Sequence, residues 1–153
     1  MSWQSSGVTP EETRALVHRL FDLWNEGDTS AIPELYHREY RADYLPYSYR
    51  QGLEGIREMV TNARIANPDY HEELLDVLVD GDRAAVRLRI AFTHTSPAGP
   101  IPATGRRISY EELLLLTFRE GKVLAQRGIP DNLSMLRQMG VVPIPPGQSA
   151  ARE

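Results

Sequence analysis

Hydrophobic residues recur at helical spacing through the first third of the chain and at a spacing of two through most of its second half. Leu16, Leu20, Leu23 and Trp24 form one apolar stripe, widened by Val17 and Phe21. Thr9, Pro10, Glu11 and Glu12 precede it: a capping hydroxyl, a proline at the first helical position, and acids at the positive end of the helix dipole. Glu26, Gly27 and Asp28 end this helix, and a shorter one is predicted from Ser30 to Tyr36. A third helix runs from Gly52 and Gly55 through Ile56, Met59, Val60 and Ala63 and stops before Pro68.

Beyond Pro68 the period changes. Glu72 to Val79 reads as a strand, then a turn at Asp80, Gly81 and Asp82. From Ala84 to His94, Val86, Leu88, Ile90 and Phe92 alternate with Arg87, Arg89 and Thr93, as in a sheet with unlike faces. Strands follow at Arg107 to Phe118 and Lys122 to Ile129, joined at Glu120-Gly121, and Asp131 to Met139 reads as a closing helix. Between Tyr36 and Tyr49 lie five of the seven tyrosines, in irregular structure with a short strand near Tyr40 to Tyr44. Helices first and antiparallel strands afterwards indicate an α+β fold in one domain over residues 9–142. Residues 1–8 read as a flexible leader and 143–153 as a flexible tail.

Composition narrows the chemistry. The chain has 153 residues, enough for a real core, with 41% hydrophobic and 25% charged residues. A net charge of −4 with interspersed signs argues against a nucleic-acid or anionic-membrane surface. Cysteine is absent, which removes disulfides and thiolate chemistry and fits a cytoplasmic setting. No signal pattern opens the chain, and no apolar run approaches the ~20 residues that span a bilayer. Neither a Walker loop nor a GxGxxG turn after a strand is present, and the four histidines, at 18, 37, 71 and 94, lack metal-helix spacing. Acid/base chemistry by carboxylates and histidine, with no cofactor and no metal, is what remains.

Seven short segments then occur in an order that resembles one family. They are Gly52-Leu53-Glu54-Gly55-Ile56-Arg57, Asn67-Pro68-Asp69, Gly81-Asp82 ahead of Arg87, Thr93-His94, Pro102-Ala103-Thr104-Gly105-Arg106, Gly121-Lys122-Val123, and Asp131 with Leu136 to Gly140. Together they resemble the SnoaL-like polyketide cyclases of the nuclear-transport-factor-like and ketosteroid-isomerase-like superfamily. The resemblance implies a curved antiparallel sheet wrapped by N-terminal helices into a cone with a central cavity. It also implies ring closure of a polyketide-like small molecule by an aspartate base, and Asp131 is the matching position. A homodimer or homotetramer is the assembly expected. Ala125 and Arg127 stand where the family often has Glu and Trp, Asp43 near a position commonly His, and Leu113 to Leu116 where polar residues are usual. These differences point to a pocket rebuilt for a more apolar substrate.

Each candidate has a plainer reading beside the functional one. Asp131 is the expected base, or a cap for the last helix, since Asp-Asn is a helix start signal. His94 is a proton partner at the pocket rim, or a hydrogen-bonded histidine at the edge of the core. Asp43 is a second acid in the pocket, or a surface aspartate. Arg127 holds an enolate or phenolate oxygen if its face of the strand is the inner one. Tyr44 and Tyr49, with Tyr47, line the cavity mouth, cover the core or form a dimer face, and Trp24 serves the core first and the pocket second. Glu111 and Glu112 must point to opposite faces; Glu111 is the expected substrate contact, with the choice between the two open. The competing functions are epoxide hydrolysis or epoxide-opening ring closure, which would need Asp43 and Asp131 to converge, and a binding or dimerisation module built on Leu113 to Leu116.

Overall fold

The computed structural model describes residues 8–44 and 49–146; Tyr47 lies outside them. Helix α1 (Pro10–Glu26) begins at a capping box in which Thr9 and Glu12 exchange hydrogen bonds, 2.7 Å and 3.2 Å, and ends at Gly27 in the left-handed region. A short 3-10 turn (Thr29–Ala31) and α2 (Ile32–Leu35) lead into strand β1 (Tyr36–Asp43). Helix α3 (Gly52–Ala66) follows, then β2 (His71–Asp80), β3 (Arg83–Thr93), β4 (Arg107–Arg119), β5 (Lys122–Pro130) and α4 (Asn132–Gln138). The predicted elements therefore exist, except that the tyrosine-rich segment holds a full strand beginning at Tyr36.

The five strands form one sheet in the order β1-β5-β4-β3-β2. Neighbours from β2 to β5 are antiparallel, as expected, whereas β1 joins the edge of β5 in parallel. Parallel pairing follows from topology, because α3 and three strands intervene before the chain returns beside β1. Helix α1 packs on β2 and α3 on β1, so the helices cover one face. That face carries Val86, Leu88, Ile90, Ile108, Leu116 and Val123, all buried against Val17, Leu20, Ile56 and Val60. Each such side chain stabilises the fold by about 1.5–3 kcal/mol relative to exposure.

Two β-bulges determine what the inner face presents. One extra residue in β2, between Leu74 and Asp76, shifts the pairing with β3. Another in β5, at Leu124, shifts the pairing with β4, where Thr117 faces Ala125 but Phe118 faces Val123. Each bulge reverses which alternate residues point inward. Upstream of the first, Glu72 is buried and Glu73 exposed; beyond the second, Gln126 and Gly128 are buried and Arg127 exposed.

Several of the family-like segments turn out to hold the architecture together. Asp69 accepts hydrogen bonds from the Thr93 backbone (2.9 Å) and hydroxyl (2.7 Å) and pairs with Arg107. Gln138 bonds both backbone groups of Ser109, at 2.8 Å and 2.7 Å, fastening α4 to β4.

Candidate active site

Between the helices and the sheet lies a cavity of about 730 Å³. Its walls are apolar: Leu20, Phe21 and Trp24 from α1, Met59 from α3, Leu88 from β3 and Leu114 from β4. Tyr49, Arg50, Glu58 and Gly99 line it yet are exposed, and so mark where it opens to solvent. Arg50 and Glu58 form an ion pair there at 2.7 Å. A volume of this order accommodates a drug-sized organic molecule.

Two carboxyl groups reach the interior. Glu72 arrives from β2 and Glu112 from β4, on either side of β3, where their backbone partners are Ile90 and Leu88. Both line the cavity, and they are only 8% and 7% exposed. Asn25, at the end of α1, fixes the Glu72 backbone by donating to its carbonyl (2.9 Å) and accepting from its N–H (2.7 Å). The Tyr70 hydroxyl donates to Glu72 Oε1 at 2.5 Å. Glu112 Oε1, by contrast, has no hydrogen-bond partner among the described residues.

Burial dictates the protonation of this pair. Loss of hydration pushes the Glu72 carboxyl up to about 7, partly offset by the Tyr70 hydrogen bond. Loss of hydration and the neighbouring Glu72 charge push Glu112 up to about 8. Near neutral pH the pair therefore shares protons, with Glu112 the more firmly protonated member. Two such groups can divide base and acid duties.

Tyrosines and one amide complete the polar lining. Gln126 Nε2 donates to the Tyr44 hydroxyl, and the Tyr40 hydroxyl donates to Gln126 Oε1 at 3.4 Å. Burial, with Glu112 nearby, raises the Tyr44 hydroxyl well above its ordinary value, so it stays a proton donor. Trp24 Nε1 donates to the Tyr36 hydroxyl at 3.3 Å, and Tyr49 packs edge-on against Tyr44, ring centres 5.5 Å apart. Gly128 is required where it stands: a methyl group there would overlap both the Tyr44 ring and Glu112 Oε1.

The positions expected from sequence divide. Trp24, Tyr44 and Tyr49 line the cavity. Asp131 is not a deep carboxylate: it is exposed at the start of α4, where its Oδ1 accepts from Ser134 N–H at 2.9 Å. Asp43 and Arg127 pair with each other at 2.7 Å on the exposed side of the sheet, because the β5 bulge turns Arg127 outward. Neither Asp43 nor Asp131 lines the cavity, so the convergence that epoxide chemistry needed is not formed. Glu111 faces outward to Arg87 and Arg89; the inward member is Glu112. His94 is 1% exposed but stands outside the cavity lining, its Nδ1 3.0 Å from Thr104 Oγ1.

Glu72, Tyr70, Gln126 and Gly128 are the site residues that sequence reasoning missed. Among the described residues, no group of three or more His, Asp and Glu could hold a metal ion.

This chain and its order of elements have counterparts among known proteins. The family described as SnoaL-like polyketide cyclase matches residues 14–139. The chain belongs to the SnoaL-like polyketide cyclase family. Aklanonic acid methyl ester cyclase DnrD of Streptomyces peucetius is 31% identical over 128 residues, covering 82% of this chain and 88% of that protein. The cyclase of the same description, DauD, from Streptomyces sp. strain C5 is 30% identical over 128 residues, 82% of this chain and 80% of that one. In three dimensions TsrD from Streptomyces laurentii superposes with a TM-score of 0.80 at 26% identity, covering 88% of this chain and 99% of that chain. This SnoaL-like chain is accordingly a polyketide cyclase by family, with the α+β cone as its scaffold.

Proposed function

We propose that this chain closes a ring in a polyketide ester by intramolecular aldol addition, with Glu72 as base and Glu112 as acid. The observation that carries the reading is the buried carboxyl pair on the sheet wall of an apolar cavity, one member hydrogen-bonded and the other without a partner among the described residues. Ionised Glu72 takes a proton from a carbon activated by adjacent carbonyls. The enolate carbon attacks a second carbonyl of the same molecule, and the resulting alkoxide takes a proton from Glu112. Proton transfer back across the pair resets it, so product and substrate have the same formula. The apolar walls keep water from the enolate and strengthen each of these interactions.

For the substrate we infer a molecule of the class named for the Streptomyces relatives, aklanonic acid methyl ester. The test is turnover of that ester followed by chromatography. Wild-type chain is expected to convert it to a cyclised isomer, with Glu72→Gln and Glu112→Gln each slowed by about 10²–10⁴-fold, the usual worth of a positioned acid or base. Full activity in both variants would remove the carboxyl pair from the chemistry.

A further inference from the structure

We propose that Asn25 is a positioning residue for the acid/base reaction, and that its amide selects Glu72 rather than Glu73 as the carboxyl inside the cavity. The inference rests on the reading of Glu72 as base and adds what holds that base in place. Strand β2 is an edge of the sheet, so one row of its backbone groups faces no other strand. Asn25 fills that row at one residue: its Nδ2 donates to the Glu72 carbonyl at 2.9 Å and its Oδ1 accepts from the Glu72 N–H at 2.7 Å. Along a strand, backbone direction and side-chain face both alternate with period two. A group that grips the outward N–H and C=O of one residue therefore also fixes which face its side chain takes. By the same alternation Glu73 directs its N–H and C=O toward β3, where its partner is Arg89.

An anchor is needed because the bulge between Leu74 and Asp76 lets the start of β2 take a register of its own. The outer-face pair Glu73–Arg89, 2.9 Å apart but exposed, is worth little by itself. Asn25 is held in turn by Arg64 of α3. Arg64 Nη1 donates to the Asn25 carbonyl at 2.5 Å, and to the Trp24 and Tyr70 carbonyls at 3.4 Å each. It brings a cation to the C-terminal end of α1, whose last turn has no basic residue. The same guanidinium joins that helix end to Tyr70, whose hydroxyl donates to Glu72 Oε1. Gly27 leaves room for it, since a Cβ there would lie 2.6 Å from Arg64 Cδ.

Label the glutamate carboxyl carbons of the full chain isotopically and follow their titration by NMR, assigning Glu72 and Glu112 by their loss in Glu72→Gln and Glu112→Gln. The titratable groups that face the Glu72 carboxyl are Tyr36, Tyr44, Tyr70 and Glu112, and Asn25→Ala replaces none of them. In wild type Glu72 should titrate at about 7, raised by burial. In Asn25→Ala it should fall by about one unit or more toward the ordinary 4.5, as the carboxyl gains access to water, while Glu112 stays high. Asn25→Ser, whose short hydroxyl cannot span both backbone groups, should shift it in the same direction, and decides the matter if circular dichroism shows Asn25→Ala unfolded. An unmoved Glu72 overturns the proposal, as does a parallel fall of both carboxyls, which marks a loosened fold. With aklanonic acid methyl ester, kcat should drop about tenfold or more at nearly constant KM, because the apolar walls are untouched. The titration needs no substrate. Lost turnover with an unmoved Glu72 would refute the role of Asn25 only; a moved Glu72 with unchanged turnover would refute Glu72 as the base and leave the selection by Asn25 standing.

Discussion

Glu72 and Glu112 enter one cavity from the two strands that flank β3, and each is buried with no ion-pair partner among the described residues. Activity should follow the titration of this pair. With carboxyls pushed up to about 7 and about 8, kcat/KM should trace a bell. The rising limb reports loss of a proton from the base and the falling limb loss from the acid. Glu112→Gln should abolish the alkaline limb, and a rate flat from pH 6 to pH 9 (roughly one unit beyond each limb) would refute the assignment.

Stability carries the same signature with its own sign. Both groups ordinarily titrate near 4.5, and folding raises them. The protonated forms are thus favoured by the folded chain, so their contribution is full below about 4.5 and is lost as pH climbs through about 7 and about 8. Shifts of this size are worth on the order of 3–5 kcal/mol per group. Glu112→Gln should therefore raise Tm relative to wild type at alkaline pH and leave it nearly unchanged at pH 5 in thermal scans.

Gly128→Ala is expected to slow the reaction more than it harms the fold. The added methyl must displace Tyr44 or Glu112, an overpacking that costs about 1–3 kcal/mol. Either movement disturbs a group that lines the cavity. A loss in kcat of about tenfold or more with a folded circular dichroism spectrum is the expected result.

Asp131 supplies the contrasting case. As a cap, it should tolerate Asn, which caps equally well, whereas Asp131→Ala should cost about 0.5–2 kcal/mol in urea unfolding. Turnover by Asp131→Asn is expected to stay within about twofold of wild type. A collapse in kcat with unchanged stability would return Asp131 to the chemistry.

The Leu113 to Leu116 run serves both faces of the sheet. Leu114 and Leu116 point inward, while Leu113, Leu115 and, beside them on β5, Ile129 are 56%, 53% and 65% exposed. Arg87 and Glu111 flank this apolar strip with opposite charges, a pattern that can pair with a second copy of itself. Our proposal is that this face forms a homodimer. Light scattering should give twice the chain mass, falling to one chain in Leu115→Arg.

How much of this was legible in the sequence differs strand by strand. In β4 the phase was present throughout: Ile108 and Phe118 share parity with Glu112, and Arg107, Ser109 and Thr117 share it with Glu111. In β5, counting by two from buried Val123 would place Arg127 inside. Leu124 is the extra residue that reverses the count, and Asp131, in phase with Arg127, goes outward with it. In β2, counting back from Val77 and Val79 selects Glu73 rather than Glu72, again by one residue. Helix caps, strand order in the chain and the α+β class were readable because each depends on neighbours in sequence. Bulges depend on a partner strand, so the polar lining of the cavity was not.

The irregularity at Leu75 has a consequence for how such pockets diversify. Glu72 and Glu73 are adjacent, identical in type and opposite in fate, and a single inserted position decides which one lines the cavity. Deleting that position would swap the two acids without altering either, moving the buried carboxyl one step along the cavity wall. Catalytic geometry in this scaffold can thus be re-indexed by length polymorphism alone, leaving the chemistry of every retained side chain untouched.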